Sequence, residues 1–352
     1  MAWYNASWTY RVKITVDNTK VDADLTDFPV YVNLADLVAG FHTNVKANGA
    51  DIRVTKSDGT TEVPREVVFY DSATDTGELH FKADGTLSNT VDTDFYIYYG
   101  NAGASEPAVT DTYGRNNVWD SSYKAVYHMQ EDPSGNGSGA VKDSTSSGFN
   151  MTPAGSPVSG TGKMGNGIQF DNTNDILTGS GANLTGSVSS QIWVSTGTTA
   201  DYDSLIDSQT SLGVANDQYN IFFQTGRVIA SYGNAFSNAT NLITLSTLTK
   251  LDLTYNGSTL THYKDGVSNG TPAYVKPSVT TSFLAIGART TSSNVSNALI
   301  DEVRISNVAR ASTWISTEYN NQNSSSTFYT DGAQETDGGG STPTASFLYL
   351  MI

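Results

Sequence analysis

Apolar and polar residues alternate along most of the first hundred positions. Apolar side chains occupy every second position over 12–16 and again over 28–34, which is the period of a β-strand with one buried face. Pro29 lies in the second run, and because proline cannot donate a ladder hydrogen bond, we assign it to an edge strand. Ser57-Asp58-Gly59-Thr60 is typical of a hairpin turn in which the glycine takes a positive φ. The pattern predicts about six strands before Gly100.

Short strands also dominate the rest of the chain, and their spacing of roughly 8–12 residues indicates a sandwich or a jelly roll. They are predicted at 125–127, 167–170, 175–178, 190–195, 204–208, 219–225, 227–232, 242–245, 249–255, 259–264, 283–287 and 298–306. One helix is predicted at about 312–321, with Ser312 as its cap and Trp314, Ile315 and Tyr319 on one face. The predicted fold class is all-β: two β-sandwich, jelly-roll-like domains with one short C-terminal helix and a flexible tail.

The alternation is interrupted between residues 101 and 122, a stretch with glycine and proline but no apolar period. We therefore divide the chain into an N-terminal β-sandwich at 1–105, a linker at 106–118, a jelly roll at 119–331 and a tail at 332–352. We expect the two sandwiches to fold independently, because few contacts cross an aperiodic linker.

Charge narrows the range of partners. The 352 residues carry a formal net charge of −16, and the pI is about 4.4. A protein that follows a phosphate backbone needs a basic stripe, and an anionic membrane surface attracts basic segments. We therefore expect neither nucleic acid nor a membrane as a partner. Acidic groups do suit divalent cations, which prefer oxygen ligands.

The chain contains no cysteine, which excludes a disulfide framework, a thiolate nucleophile and cysteine-ligated zinc. The first residues lack the basic flank and apolar run of a signal peptide, and no apolar stretch reaches 18 residues. We expect the protein to be synthesised and folded in a cytoplasm. If it acts outside the cell, we expect it to leave by a route other than the secretory pathway.

Two resemblances cover most of the chain. Residues 1–105 resemble a domain family of unassigned function that often precedes lectin-like domains. The resemblance is carried by Trp8-Thr9-Tyr10-Arg11-Val12, Thr26-Asp27-Phe28-Pro29-Val30, Gly49-Ala50-Asp51-Ile52-Arg53-Val54 and Tyr96-Ile97-Tyr98-Tyr99-Gly100-Asn101. This family implies no chemistry.

Residues 118–331 are similar to the laminin-G-like, concanavalin A-like superfamily. The matching segments are Val126-Tyr127-His128-Met129, Asp143-Ser144, Gly167-Ile168-Gln169-Phe170-Asp171, Asp301-Glu302-Val303-Arg304-Ile305-Ser306, Ala309-Arg310 and Trp314-Ile315-Ser316-Thr317-Glu318-Tyr319-Asn320. That superfamily includes carbohydrate binders, adhesion modules, glycosidases and phage structural proteins, so the resemblance implies a fold more than an activity. The order of the two domains resembles proteins of tailed-phage virions.

Glycoside hydrolysis is the enzymatic alternative. It needs two carboxylates roughly 5–10 Å apart, and the Glu-x-Asp-x-x-Glu motif of glucanase relatives is absent from this sequence. Asp301 and Glu302 are adjacent and would point to opposite faces of a strand, while Glu62 and Glu66 have no obvious partner. We expect no catalytic residues, and a structural role for Asp301 with Arg304.

Two places could hold a metal ion. His128 is a lone strand histidine, which we interpret as a core or rim residue that holds a hydrogen bond. The turn that contains Asp171, Asn174 and Asp175 concentrates oxygen donors and is the best candidate for calcium. The alternative is an Asx-rich turn closed by its own backbone without metal. No other cofactor is expected.

Aromatic residues near loops are candidates for a sugar-stacking surface. They are Tyr202, Tyr219 and Tyr232, whereas Trp193 is assigned to the core.

The last six residues are all apolar and follow a glycine-rich linker. They are Phe347, Leu348, Tyr349, Leu350, Met351 and Ile352. We interpret this terminus as an assembly anchor that docks on another subunit; the alternative is a frayed end or a cloning remnant.

Together these observations predict a non-enzymatic virion structural protein: a capsid decoration, head fibre or tail appendage that displays a lectin-like domain on the virion surface. Its expected partners are other virion proteins, held through the tail, and surface glycans, with homo-oligomeric or multicopy display. A bacterial surface or exported carbohydrate-binding module is the first alternative, and a glycoside hydrolase is the second.

Overall fold

The computed structural model describes residues 2–337, apart from Asn136, Ser292 and the segments 182–183, 185, 199–201, 210–218, 225–226, 233–234 and 273–281. At 219–220, 224, 227–232 and 235–237 it describes the backbone alone. Strands dominate this part of the chain, and the predicted all-β class is confirmed. Among the described residues, no helix is long and apolar enough to cross a membrane.

The first sandwich consists of two antiparallel sheets. Its N-terminal elements are β1 (Tyr10–Val16), β2 (Leu25–Asn33), α1 (Ala39–Asn44), β3 (Arg53–Lys56), β4 (Glu62–Val63), β5 (Arg65–Asp71), β6 (Thr76–Leu87) and β7 (Thr93–Tyr99). One sheet contains β1, β7, β3 and β4 side by side, and the other has the order β2-β6-β5. The alternating apolar residues of β1 and β2 pack between these sheets, and Pro29 is on an edge strand as predicted.

The second sandwich is larger. Its strands are β8 (Tyr123–Tyr127), β9 (Thr152–Ala154), β10 (Val158–Thr161), β11 (Asn166–Gln169), β12 (Ile176–Ser180), β13 (Val188–Thr196), β14 (Ser204–Gln209), β15 (Tyr219–Gln224), β16 (Arg227–Tyr232), β17 (Ala235–Asn238), β18 (Thr249–Tyr255), β19 (Leu260–Lys264), β20 (Val267–Ser268), β21 (Phe283–Ile286) and β22 (Ala298–Ser306). One sheet has the order β10-β11-β22-β13-β18-β19-β20, with β8 also paired to β22. The other has the order β17-β16-β15-β14-β21-β12-β9, and a continuous apolar core fills the space between them.

Most of the predicted strands are present, but the one at 242–245 is wrong. That segment is irregular, and the side chains of Leu242 and Leu245 are exposed. Because nothing covers these apolar groups among the described residues, they cannot form the buried face that the pattern suggested.

The predicted helix is confirmed as α2 (Ser312–Asn323), followed by the short α3 (Ser325–Phe328). Its cap differs from the prediction: the N-cap residue is Ala311, and no side chain caps the helix. α2 fastens to the first sandwich, because the Asn321 side chain accepts a hydrogen bond from the Tyr31 N–H at 2.7 Å and donates one to its carbonyl at 2.8 Å. It fastens to the second through the Trp193 indole, which donates to Gln322 at 2.7 Å.

The end of the described chain returns to its beginning. β23 (Tyr329–Asp331) and β24 (Glu335–Thr336) both pair with β1, and Tyr329 packs in the core of the first sandwich. The structure therefore corrects the predicted boundaries here, since 329–331 join the first sandwich and 335–336 are paired rather than part of a flexible tail. Residues 332–337 contain too few apolar side chains to show an alternation, so the sequence pattern could not predict this pairing.

The predicted linker also enters a core. Val118, the last residue of that linker, and Trp119, the first residue of the predicted jelly roll, pack in the same apolar cluster as the strands of the first sandwich. Tyr123 and Val126 of β8 belong to that cluster too. The two sandwiches thus share a packed boundary, and their independent folding stays a prediction.

Candidate functional site

A cleft of about 560 Å³ lies at the boundary between the two sandwiches. Its walls come from the first sandwich, from the segment that joins the sandwiches and from the loops that follow β8. The lining residues are Asn48, Ala50, Glu66, Val67, Val68, Phe69, Glu106, Pro107, Val109, Arg115, His128, Gln130, Glu131, Lys142 and Ser144. Apolar side chains and groups that donate or accept hydrogen bonds are mixed along these walls, which is the usual composition of a ligand site.

Arg115, one of the described residues that line the cleft, has a donor N–H without a hydrogen-bond partner. It lies in a single 3₁₀ turn at Arg115–Asn117 and is half-buried. Its Nε atom is buried and has no hydrogen-bond partner among the described residues. A buried guanidinium N–H that lacks a partner is costly, and a ligand oxygen in the cleft would offset that cost once the Arg115 side chain turned to present this N–H.

Beneath the cleft lies a buried group of two histidines and two glutamates, Glu78, His80, His128 and Glu302, which we name the His–Glu cluster. Glu78 and His80 alternate on β6, so both point to the same face of that strand. His128 follows β8 directly, and Glu302 lies in β22. The first sandwich thus supplies one half of the cluster and the second sandwich the other half.

The cluster is held at hydrogen-bond distances. Glu78 Oε1 lies 2.8 Å from His80 Nε2 and 3.1 Å from His128 Nδ1. His128 Nδ1 also bonds to Glu302 Oε1. Each of the four residues offers one ligand atom within 4.8 Å of the others. All four side chains are buried.

Burial and neighbouring charges separate the pKa values of these groups. Burial, together with the charge of Glu302, raises the pKa of Glu78 well above its usual value. Burial, assisted by the nearby charges of His128 and Arg304, lowers the pKa of His80 well below its usual value.

The other two members shift in the opposite directions. Burial alone would lower the pKa of His128, but the carboxylates around it, Glu302 foremost, raise it instead. Burial alone would raise the pKa of Glu302, but His128 and Arg304 lower it. Neighbouring charges thus favour the ionised forms of His128 and Glu302, whereas burial disfavours the ionised forms of Glu78 and His80.

A second buried network connects β22 to α2. Arg304 donates to Glu302 on its own strand at 2.6 Å and to Glu318 of α2 at 2.7 Å. Glu318 also accepts from Lys250 at 3.0 Å, and Lys250 is paired with Asp252. These charges are all buried, so each depends on its partners to offset the cost of desolvation.

Comparison with known proteins assigns part of the second sandwich. Residues 170–316 match the family model described as the concanavalin A-like lectin/glucanases superfamily. This segment is a concanavalin A-like domain. The resemblance noted for residues 1–105 and the phage origin stay predictions. No curated protein matches the sequence.

Solved structures match part of this chain at low identity. Domain 4 of a GH43 extracellular arabinanase from Geobacillus stearothermophilus, in complex with arabinotriose, has a TM-score of 0.45 and 16% identity over 56% of this chain and 97% of its own. The botulinum neurotoxin serotype G binding domain has a TM-score of 0.44 and 11% identity over 56% of this chain. The binding domain of Paraclostridial Mosquitocidal Protein 1 has a TM-score of 0.44 and 12% identity over the same share. The matches span about half the length of these two toxin binding domains, 50% and 52%.

The predicted sugar-stacking tyrosines lie in the concanavalin A-like domain, apart from the residues that line the cleft. Tyr202 is 45% exposed and stacks on Phe222 with ring centroids 5.6 Å apart. Tyr219 and Tyr232 are directly opposite each other on β15 and β16, but their side chains lie outside the described residues. Trp193 is buried, which confirms its assignment to the core. Glycan binding at the tyrosines stays a prediction.

The turn predicted to bind calcium is closed by its own backbone. Asp175 is buried, and its two carboxylate oxygens accept from the N–H groups of Ser156 at 2.7 Å and Asp171 at 3.1 Å. Asp171 in turn accepts from the Thr173 N–H at 2.8 Å, and Asn174 is exposed. This is the Asx-turn arrangement named as the alternative, and calcium at the turn stays a prediction. The predicted anchor, residues 347–352, lies outside the described residues.

Sequence reasoning missed the His–Glu cluster. His128 was interpreted as a lone histidine, and Glu66 as a residue without a partner. In the structure, Glu66 accepts from Ser144 Oγ at 2.6 Å and from the Trp119 indole at 3.0 Å, and lies 3.4 Å from His128 Nε2. A usable signal was the Glu78-x-His80 spacing, which places an acid and an imidazole on one face of a strand.

Proposed function

We propose that this protein is a non-enzymatic, carbohydrate-binding display protein of a virion, and that the cleft between its two sandwiches holds the glycan. The observation that carries the proposal is the cleft itself, whose lining combines the aromatic ring of Phe69 with the guanidinium of Arg115. Sugars present apolar C–H faces and a dense set of hydroxyl oxygens. Such a cleft can satisfy both.

The carboxylates of the cleft favour binding over hydrolysis. A glycosidase needs one carboxylic acid placed to protonate the leaving oxygen and a second carboxylate across the bond. Glu66 is buried and takes hydrogen bonds from Ser144 and Trp119. Glu106 forms an ion pair with Arg65, and Glu131 accepts from the Lys142 N–H at 2.9 Å. Each is therefore engaged in holding the local structure.

A glycan array probed with the full-length chain tests this proposal. Arg115→Gln and Phe69→Ala alter the cleft, Tyr202→Ala alters the tyrosine surface, and Lys56→Gln is a control that removes a positive charge outside the cleft. We expect the two cleft variants to weaken binding by at least about tenfold, since a hydrogen bond to a charged group contributes about 1.5–3 kcal/mol. Tyr202→Ala and Lys56→Gln should bind like the wild type.

The outcomes are separable. If only Tyr202→Ala loses glycan binding, the site lies on the tyrosine surface instead of in the cleft. If neither the wild type nor any variant binds a glycan, the proposed lectin role is refuted. Release of reducing sugar from a bound polysaccharide would contradict the non-enzymatic part. A displayed array should bind more strongly than the monomer, because multivalency raises the effective concentration; equal signals from monomer and particle would count against display.

The virion part of the proposal is supported by the resemblance of the two-domain order to tailed-phage proteins and by the apolar segment at 347–352. That segment is the proposed contact to other virion proteins. Mass spectrometry of purified particles, with antibody labelling of their surface, tests it directly. Absence of the chain from the particles would contradict it.

A further inference from the structure

We propose that the His–Glu cluster binds one divalent transition-metal ion of the Zn²⁺ class and that this ion joins the two sandwiches. The inference does not rest on the proposed function, since it concerns the ligand atoms of the buried cluster, of whose four residues His128 also lines the cleft.

The donor set selects the class of metal. Two imidazoles with two carboxylates suit Zn²⁺ and its neighbours in the first transition row, whereas Ca²⁺ and Mg²⁺ are bound by oxygen atoms. The four inward-facing atoms are His80 Nε2, Glu78 Oε1, His128 Nδ1 and Glu302 Oε1, linked by the short contacts already described. Four donors are the number that a zinc site uses. A dication would also offset the cost of burying carboxylates such as Glu78 and Glu302, which are almost fully removed from solvent.

The outward-facing atoms of three ligands have partners of the kind that orient metal ligands. His128 Nε2 faces the Glu66 carboxylate at 3.4 Å, an arrangement of carboxylate, histidine and ligand atom that is common around zinc. Glu302 Oε2 accepts from Arg304 at 2.6 Å. Glu78 Oε2 accepts from Gln130 Nε2 at 3.2 Å. His80 is the exception, because its Nδ1 has no partner among the described residues.

Two residues at the cluster have a left-handed backbone. Glu302 has φ 50° in the middle of β22, and Met129, the residue after His128, has φ 57°. Left-handed backbone is unfavourable for residues other than glycine, and such outliers concentrate at ligand sites. Both deviations occur where the second sandwich presents its two ligands to the first. The pairing of β22 with β13 also shifts register here, between Gln191 and Trp193.

An ion has a route to the cluster. His128 and Glu66 line the cleft and also touch or orient the cluster. The cluster thus lies buried directly behind the cleft floor, which is the side from which a metal ion that loads after folding would enter.

The test uses the full chain, produced without a polyhistidine tag, stripped with EDTA and equilibrated with Zn²⁺ or Co²⁺. Elemental analysis of the washed protein should give about one Zn²⁺ per chain. Co²⁺ should give the intense visible absorption of a tetrahedral site. Glu78→Gln and His80→Gln should lower the Zn²⁺ affinity by more than about 100-fold, and Glu66→Gln, which acts through His128, by about 10–100-fold. His42→Gln removes a histidine from α1 and should bind Zn²⁺ like the wild type.

The proposal is overturned if the wild type retains no Zn²⁺ and shows no Co²⁺ absorption. It is also overturned if Glu78→Gln and His80→Gln bind as tightly as the wild type, or if Ca²⁺ binds and Zn²⁺ does not. If these two variants fail to fold, two measurements on the wild type decide: its Co²⁺ spectrum and the effect of Zn²⁺ on its unfolding temperature. A tetrahedral Co²⁺ spectrum and a higher unfolding temperature in Zn²⁺ support the site. The absence of both refutes it.

Discussion

The buried network around Glu318 makes the sharpest prediction about stability. Glu318→Gln keeps the shape of the side chain but replaces a carboxylate oxygen by an NH₂ group. Glu318 accepts from Arg304 at 2.7 Å, from Lys250 at 3.0 Å and from Gln191. An amide has one oxygen, so its NH₂ must face at least one of these donors, and the charge that attracts both cations is lost.

The cost follows from these contacts. Two hydrogen bonds to charged groups are weakened or broken, each at about 1.5–3 kcal/mol. Removal of one partner from a buried ion pair costs about 3–5 kcal/mol in other proteins, because the remaining charge stays buried. We therefore expect the free energy of unfolding to fall by about 3–5 kcal/mol, a large part of the 5–15 kcal/mol typical of native proteins.

Equilibrium unfolding in urea, followed by tryptophan fluorescence, measures this loss, because Trp314 lies on α2 and Trp193 contacts it. Glu335→Gln is the matched control. Glu335 pairs with Arg11 at 2.6 Å but its side chain is 43% exposed, so we expect a loss of about 0–1 kcal/mol. If Glu318→Gln costs no more than Glu335→Gln, the reasoning about the buried network is refuted.

Three further predictions concern the ends of the chain and the acidic turn. The sequence predicted that residues 1–105 fold independently, but because β23 and β24 complete the sheet beside β1, we now expect a 1–105 fragment to be poorly folded. Joining 324–337 to it through a flexible linker should restore a dispersed amide NMR spectrum; equal spectra for both fragments would contradict this and support the original boundary. Asp175→Asn should lower the free energy of unfolding by about 1–3 kcal/mol in EDTA and in Ca²⁺ alike, because both oxygens of Asp175 hold backbone N–H groups. A loss seen only with Ca²⁺ present would instead establish the calcium site. Deletion of residues 342–352 should leave both sandwiches folded by circular dichroism and abolish incorporation into particles, whereas wild-type copy number would rule out the anchor.

Local pattern was enough to predict most of the fold. The alternation over 12–16 predicted a strand with one buried face, and Val12, Ile14 and Val16 are buried in β1. The helix expected at 312–321 is present at 312–323. Both predictions rest on residues that are close in sequence, because a period of apolar residues indicates which face of a strand or helix is buried.

Contacts between distant parts of the chain could not be predicted in this way. β24 has two residues, too few to show a period, and its partner β1 lies more than 300 positions upstream. His80 and His128 lie on different sandwiches, with ring centroids 4.8 Å apart. Their approach depends on how the sandwiches pack, and no periodicity in either segment reports that. The left-handed backbone at Glu302 is a local departure from a regular strand that an alternating pattern cannot predict.

The pairing of β1 with β24 has a mechanical consequence. Tyr10 is opposite Thr336, and the Asp337 N–H donates to the Thr9 carbonyl, so the chain enters β1 and leaves β24 at the same end of an antiparallel pair. A pull on the segments before Thr9 and after Asp337 therefore loads these hydrogen bonds one after another, as in opening a zipper, rather than all together in shear. The applied force is therefore borne by strands of the first sandwich. The concanavalin A-like domain, which is inserted between β7 and β23, bears no force until β23 and β24 have separated from β1.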